Sequence, residues 1–314
     1  MRARNIGWIL VGLGALLVGA AVPAGSWLPL LPADLPLEER STTQLTGEQV
    51  TYLDPVTLEQ RTGEGVSVTT TVRGDGDTGD ADDGTAVWEV VSTADAADGT
   101  LVSTTTTVAC LDRRAAEAVD CVGESVDGER VDVQGLTARF PIGTARRDYA
   151  VWDAAARQAF PARFAGAESF RGLQVYRFEQ EVPAQVIGSI PVPGNPATEV
   201  VHGATRSWLV EPVSGVVVQA EESPVTALRG GDGSEGATLL AGTFTTSGAS
   251  ADDAVAVARD VRADREALRP AAAWGSGGTG AVLLLAGGLL LVRSRPTRTD
   301  PAEDEPVREP VPAA

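Results

Sequence analysis

The sequence predicts a mainly β protein: an antiparallel meandering sheet or barrel-like outer domain with one C-terminal helix, flanked by two transmembrane helices. Three observations lead to this prediction. Short runs rich in Val, Thr and aromatic residues follow one another from residue 50 to residue 108, a composition typical of strands. Two uncharged apolar stretches lie at opposite ends of the chain. A segment with helical spacing of apolar residues stands just before the second stretch.

Within the predicted strands, polar and apolar residues are interleaved. The sequences VSVTTTV at 66–72 and LVSTTTTV at 101–108 interleave Thr with Val, which is typical of strands that have one face in water. Because these runs follow each other closely, we expect an antiparallel order.

The predicted C-terminal helix starts at Ser250, where Ser250 and Asp253 have the spacing of a capping box. Val255 and Ala258 follow at helical spacing, and Pro270 is expected to end the helix. We expect its apolar face to pack on the sheet.

The two apolar stretches, residues 6–31 and 270–292, are each longer than the ~20 residues that cross a bilayer as a helix. The first is interpreted as a transmembrane helix or uncleaved signal anchor, with cleavage after the small residues near Gly25 as the alternative. A buried soluble helix is the alternative for the second. Arginines flank both stretches on their outer sides, as at Arg2 and Arg293, which favours cytoplasmic termini.

These boundaries predict a cell-membrane protein with both termini cytoplasmic and a large domain outside. The predicted parts are a cytoplasmic N-terminus (1–5), a first span (6–31), an extracytoplasmic β-rich domain (32–269), a second span (270–292) and a disordered cytoplasmic tail (293–314).

The charge balance restricts the partners. The chain has 43 acidic and 25 basic residues and a net charge of −18 at pH 7. Such a surface repels nucleic acid, so no nucleic-acid partner is expected. The expected partners are the cytoplasmic membrane and an envelope lipid or membrane protein.

The two cysteines, Cys110 and Cys121, both lie in the predicted outer domain. An even pair in an oxidising compartment predicts one disulfide, and a loop of this size adds about 2–3 kcal/mol of stability. Metal binding is the alternative, but it requires further soft ligands, and His202, the single histidine, is distant in sequence.

The tract from residue 73 to residue 84 is rich in aspartate and is a weak calcium candidate. Its spacing departs from a calcium-binding loop, because an aspartate stands where glycine is required and the final glutamate is missing. A solvated, mobile acidic loop is the alternative. The candidate ligands are Asp75, Asp77, Asp80, Asp82 and Asp83.

One short pattern recurs four times, at Asp54, Asp112, Asp153 and Glu211. An apolar pair or near-pair is followed by the acid and then by a small polar loop. An acid in this position accepts backbone hydrogen bonds within a turn. The pattern therefore predicts four hairpin tips, with the acids as turn formers and not catalysts.

Aromatic residues concentrate between Phe140 and Phe178. They are candidates for an apolar cleft, and the alternative is that they fill an ordinary core. The candidate cleft residues are Tyr149, Trp152, Phe160, Phe164, Phe170 and Tyr176.

Catalysis is not expected. His202 is the one available imidazole, with Ser207 nearby, and the sequence contains neither a GxSxG nor an HExxH motif nor a phosphate-binding loop. No catalytic residue, cofactor or metal is therefore predicted.

Four segments carry a resemblance to a known family. The sequence resembles the PorA family of actinobacterial envelope proteins, defined by a domain of unknown function, over nearly its whole length. The resemblance implies a two-span membrane protein with a β-rich outer domain, and it transfers no catalytic or pore residue. The segments are LDRRAAEAVDCVGESVDG (111–128), GLTARFPIGTARRDYAVWDAAARQAFPARFAGAE (135–168), GLQVYRFEQEVP (172–183) and SWLVEPVSGVVV (207–218).

Three functions remain open. The first is a non-enzymatic, membrane-anchored envelope protein that binds or handles a lipid, a glycolipid or a partner protein. The second is a subunit of an oligomeric channel or porin-like assembly, in which Ala15 and Gly19 would permit close helix packing. The third is a hydrolase or transferase that uses His202.

Overall fold

The structure, a computed structural model, describes residues 2–24, 33–192 and 195–293. It divides into two compact units, one of residues 1–29 with 266–314 and the other of residues 30–265. Part of the predicted first span (25–31) and most of the predicted tail (294–314) lie outside the described residues.

The larger unit is an antiparallel sheet of 13 strands with the first part of a helix. The mainly β prediction is confirmed. The strands are β1 (Arg40–Leu53), β2 (Gln60–Gly74), β3 (Thr85–Ala96), β4 (Leu101–Asp112), β5 (Ala118–Val119), β6 (Ser125–Val126), β7 (Tyr149–Asp153), β8 (Gln158–Phe170), β9 (Leu173–Val192), β10 (Asn195–Glu211), β11 (Val216–Arg229), β12 (Glu235–Ala241) and β13 (Phe244–Thr246).

Two meanders make up this sheet. Strands β1 to β4 pair in chain order, and strands β7 to β12 do the same. The meanders meet where β1 pairs with β12. Strand β13 pairs with both β1 and β11, so that β1, β12, β11 and β13 close a ring of four strands.

The four acids predicted as turn formers stand at four hairpin tips, so this prediction is confirmed. Each carboxylate accepts a hydrogen bond from a backbone N–H two or three residues further along, at 2.6–3.0 Å. These bonds replace backbone pairing that the turn cannot provide. The acids are Asp54 after β1, Asp112 after β4, Asp153 after β7 and Glu211 after β10.

The tips repeat with equal spacing in the two meanders. Asp112 follows Asp54 by 58 positions, and Glu211 follows Asp153 by the same 58 positions. Neighbouring strands along the sheet run in opposite directions, so Asp54 and Asp153 lie at one end of the sheet and Asp112 and Glu211 at the other. The two ends of the sheet therefore have equivalent turns.

The core joins both meanders. The largest fully buried side chains are Trp88 on β3, Phe178 on β9 and Phe244 on β13. All three belong to one hydrophobic cluster. Burial of such aromatic side chains is the main favourable contribution to folding.

The C-terminal helix α2 spans Gly248–Arg293, and its first part packs on the sheet through Val255 and Ala258, as predicted. Its start differs from the prediction, because the Ser247 hydroxyl accepts the Ser250 N–H at 3.3 Å and so caps the helix. The Ser250 hydroxyl instead accepts the backbone N–H of Gln44 on β1. The predicted end at Pro270 is wrong, because one missing N–H need not stop a helix that continues on both sides.

The smaller unit contains helix α1 (Arg2–Ala24) and the last part of α2. The two helices touch at Gly14 and Gly280, where a Cβ on Gly14 would lie 2.7 Å from the Gly280 carbonyl oxygen. Only glycine permits this backbone approach.

The prediction that two transmembrane helices flank the sheet is wrong. None of the helices formed by the described residues combines the length and apolar character that crossing a membrane requires. In the second stretch, the prediction counted every uncharged residue, including the glycines, serine and threonine at 275–280, which are only weakly apolar.

The turn after Glu211 provides a test of the tip geometry. Gly215 has φ +73°, and a Cβ there would lie 2.4 Å from the Phe140 carbonyl oxygen. We expect Gly215→Ala to lower the free energy of unfolding by more than about 3 kcal/mol, because strain and a backbone clash combine. Gly143 has φ +81° with nothing within 4 Å, so Gly143→Ala should cost only about 1–2 kcal/mol. Equal losses in denaturant titrations would contradict this account.

Candidate functional site

An apolar cavity of about 610 Å³ opens in the larger unit, at the sheet end that carries the Asp54 and Asp153 tips. Its volume falls within the range of small-molecule sites. The walls are aliphatic and aromatic, and they include Leu45, Leu53, Val68, Val102, Leu240 and Phe244.

The floor of the cavity is polar because two strands, β10 and β11, place polar side chains side by side. His202 and Arg206 are four residues apart on β10, so their side chains lie on the same face of the strand. The register of β10 with β11 places Thr226 opposite His202 and Glu222 opposite Arg206. All four residues line the cavity.

Asp153 does not line the cavity but pairs with two of the floor residues, His202 and Arg206. Its side chain is fully buried, and its Oδ2 lies 2.6 Å from Arg206 Nη2 and 3.4 Å from His202 Nε2. Its other oxygen, Oδ1, accepts the Ala156 N–H of the hairpin tip. One carboxylate therefore closes a turn and pairs with two side chains of β10.

The electrostatics of Asp153 keep it ionised. Burial alone would raise the pKa of Asp153. The hydrogen bond from His202, the charge of Arg206 and the Ala156 N–H outweigh this effect and hold the pKa well below its usual range.

Arg206 stays protonated within the same network. Burial would lower its pKa, but the charges of Glu222 and Asp153 raise it above its ordinary value. Its Nη1 donates to Gln180 Oε1 at 2.9 Å, and its Nε lies 3.4 Å from Glu222 Oε2. Gln180 in turn donates to the Val151 and Phe160 carbonyl oxygens at 3.0 Å each.

His202 is held between Thr226 and Asp153. Its Nδ1 lies 2.8 Å from Thr226 Oγ1. Because the Asp153 carboxylate can only accept, Nε2 of a neutral imidazole carries the proton and Nδ1 accepts the Thr226 hydroxyl proton. The lone pairs of the Thr226 oxygen and the Glu222 carboxylate are then the acceptors that the floor offers to a bound molecule.

The six predicted cleft residues are not among those lining the cavity. Tyr149 and Phe164 lie in an aromatic cluster around Phe178, with ring centroids 5.6 and 5.8 Å from it, and Tyr176 packs edge-on against Phe164. Trp152 is buried in the same core. The remaining two lie elsewhere: Phe160 lines a separate surface groove, and Phe170 packs in the smaller cluster beside α2.

The acidic tract does not bring its five aspartates together. Asp75 and Asp82 accept backbone N–H groups within the tract, and Asp80 accepts the Gly123 N–H at 3.1 Å. Among the described residues, the group of three with potential metal-binding atoms is Asp80 with Cys110 and Cys121. Those cysteines form a disulfide, with Cα atoms 6.2 Å apart, and so supply no thiolate ligand.

Sequence reasoning found part of the floor and missed the rest. His202 was identified as the available imidazole, and Asp153 was identified only as a turn former. Arg206, Glu222 and Thr226 were missed. The spacing of His202 and Arg206, four residues apart, was a usable signal that they share a face of a strand. Their partners depend on strand register, which the sequence does not state.

Together, the fold and the site define a disulfide-bonded antiparallel β protein with an apolar cavity over a buried ionic floor. The chain matches the model of the porin PorA family over residues 6–289. It belongs to this family, which indicates a membrane or envelope location.

Other comparisons add little to this assignment. No curated protein matches the chain. Among solved structures, it is similar to a MaoC domain protein from Chloroflexus aurantiacus J-10-fl, at 14% identity over 78% of this chain and 90% of that chain. The TM-score of 0.19 carries no conclusion about fold or function.

The buried ion pair gives a prediction about stability. We expect Asp153→Asn to lower the free energy of unfolding by about 3–5 kcal/mol, because Arg206 loses its closest counter-ion in the interior. Asparagine keeps the turn acceptor, so Asp112→Asn is the matched control, and its melting temperature should change little.

The same pair gives a pH dependence. The folded pKa of Asp153 is depressed, so its stabilising contribution is fully present above the unfolded pKa and is lost as pH falls toward the folded value. The gap in unfolding free energy between the wild type and Asp153→Asn should be constant above about pH 5 and narrow below about pH 4. A gap that widens on acidification would contradict this assignment.

Proposed function

We propose that this chain is a non-catalytic envelope protein that forms a subunit of a porin-like assembly. This role requires the folded larger unit (residues 30–265), called the β unit below. The observation that carries the proposal is the family match over residues 6–289, which includes every described strand. The partners it needs are further copies of the chain or a second envelope protein. This is the second of the functions expected from the sequence, and the family match, not the two predicted spans, supports it.

The disulfide supports an extracytoplasmic location for the β unit. Cys110 and Cys121 are bonded, and Cys110 is fully buried. Structural disulfides persist where no reducing buffer acts, outside the cytoplasm. The prediction of cytoplasmic termini required two membrane spans, and no helix of the described residues supports such spans.

The charge of the chain supports a preference for cations. With 43 acidic and 25 basic residues, the protein has a net charge of −18. Acidic side chains around a water-filled passage raise the local concentration of cations and repel anions. A porin-like assembly of this chain is therefore cation-selective.

The chemistry of the floor supports a non-catalytic role. Asp153 is a weak general base, because its pKa is held low and its Oδ2 is paired with Arg206. His202 is engaged through both ring nitrogens, by Thr226 and Asp153. A catalytic acid or base needs a pKa near the operating pH and a free position toward its substrate.

The test is conductance in planar lipid bilayers. Purified full-length protein should give stepwise currents, and in a KCl gradient the reversal potential should have the sign of cation selectivity. The detergent buffer alone is the blank. A folded protein that gives no current above the blank, or an anion-selective current, would contradict the proposal.

The matched variant is Gly215→Ala, which alters only the β unit. We expect it to reduce channel frequency in proportion to the fraction of protein that is unfolded. Currents at the wild-type frequency from an unfolded β unit would show that this unit is not needed.

A further inference from the structure

We propose that the cavity of the β unit is a binding site for a molecule with one hydrocarbon chain and a cationic ammonium head. This inference is independent of the porin-like assembly, because it concerns a site inside a single β unit. The hydrocarbon chain would lie along the aliphatic wall. The ammonium head would reach the polar floor formed by His202, Arg206, Glu222 and Thr226.

The wall has the character that a hydrocarbon chain requires. The Phe244 side chain is 2% exposed and Leu45 is 7% exposed, so the inner part of the wall belongs to the rigid core. Leu53, Val102 and Leu240 are half-buried and line the same wall. Transfer of an alkyl chain from water to such a surface is favourable in proportion to the area buried.

The rim contains an exposed leucine. Leu58 lines the cavity, is 71% exposed and stands four residues after Asp54. The fourth residue after the acid has a positive φ at all four tips (Leu58, Ala116, Arg157 and Gly215), so this backbone conformation belongs to the turn. The leucine side chain itself adds exposed apolar surface at the opening of the cavity, which a bound hydrocarbon chain would cover.

The charge of the floor selects the head group. Two carboxylates, Glu222 on the floor and Asp153 behind it, pair with one guanidinium, Arg206, so the carboxylates outnumber the guanidinium by one. Asp153 is fully buried, whereas the Glu222 side chain keeps 36% exposure and is paired through Oε2 at 3.4 Å. Glu222 is therefore the acceptor nearest to a bound head, with the Thr226 oxygen beside it on β11. An ammonium group complements this arrangement, and a carboxylate opposes it.

Binding is measured with the full-length protein and the neutral fluorescent probe N-phenyl-1-naphthylamine. The probe is displaced by dodecylamine, dodecan-1-ol or dodecanoate, each below its micelle concentration. We expect dodecylamine to displace it at a concentration about tenfold lower than dodecanol, with dodecanoate weakest. Equal potency of the three, or the greatest potency for dodecanoate, would overturn the ammonium assignment.

A pair of variants tests whether the probe occupies this cavity. Ser103 lines the cavity on β4, and the next residue, Thr104, points to the opposite face of the strand. Ser103→Phe should fill the cavity and weaken probe binding about tenfold or more, while Thr104→Phe leaves it unchanged. Both variants should melt near the wild-type temperature. A loss in both variants, or in neither, would place the probe elsewhere and overturn the proposal.

The variant Glu222→Gln tests recognition of the ammonium head separately from binding of the hydrocarbon chain. The variant should weaken displacement by dodecylamine about tenfold and leave displacement by dodecanol unchanged, because only the ammonium head needs the carboxylate. An unchanged dodecylamine potency would overturn the role of Glu222 in head recognition. Neither measurement depends on bilayer currents, so failure here is distinct from failure of the porin-like function.

Discussion

The buried ion pair between Asp153 and Arg206 is the interaction on which the site depends. Both groups lie in the interior of the β unit, where an ionised side chain without a partner is costly. The hairpin tip fixes Asp153, and strand pairing fixes Arg206 between Gln180 on β9 and Glu222 on β11. The pair therefore joins the tip of β7 and β8 to β10. It also gives the cavity a charged floor under an aliphatic wall.

What could be predicted from the sequence was local. A carboxylate that closes a turn bonds to backbone groups two or three residues away, so Asp54, Asp112, Asp153 and Glu211 could be recognised from short patterns alone. The C-terminal helix followed from the same kind of short-range periodicity. These features need no knowledge of which strands are neighbours.

What could not be predicted depends on long-range pairing. Arg206 meets Asp153 only because β10 has a particular register with β9 and β11, and a shift of one residue would turn Arg206 to the other face. The aromatic segment had the same ambiguity, since Tyr149 and Phe164 could face a cleft or a core until their neighbours were known. The second apolar stretch was overestimated for a different reason: its residues 275–280 carry no charge but are only weakly apolar.

The most direct test of this account is a double-mutant cycle on the buried pair. The variants Asp153→Asn, Arg206→Met and their combination are compared with the wild type by denaturant unfolding at neutral pH. The account predicts that the double variant is less destabilised than the sum of the single variants, with a coupling free energy above about 1 kcal/mol, because the second substitution removes the charge that the first leaves unpaired. Additive losses would show that Asp153 and Arg206 act independently, and would contradict the central role of the pair.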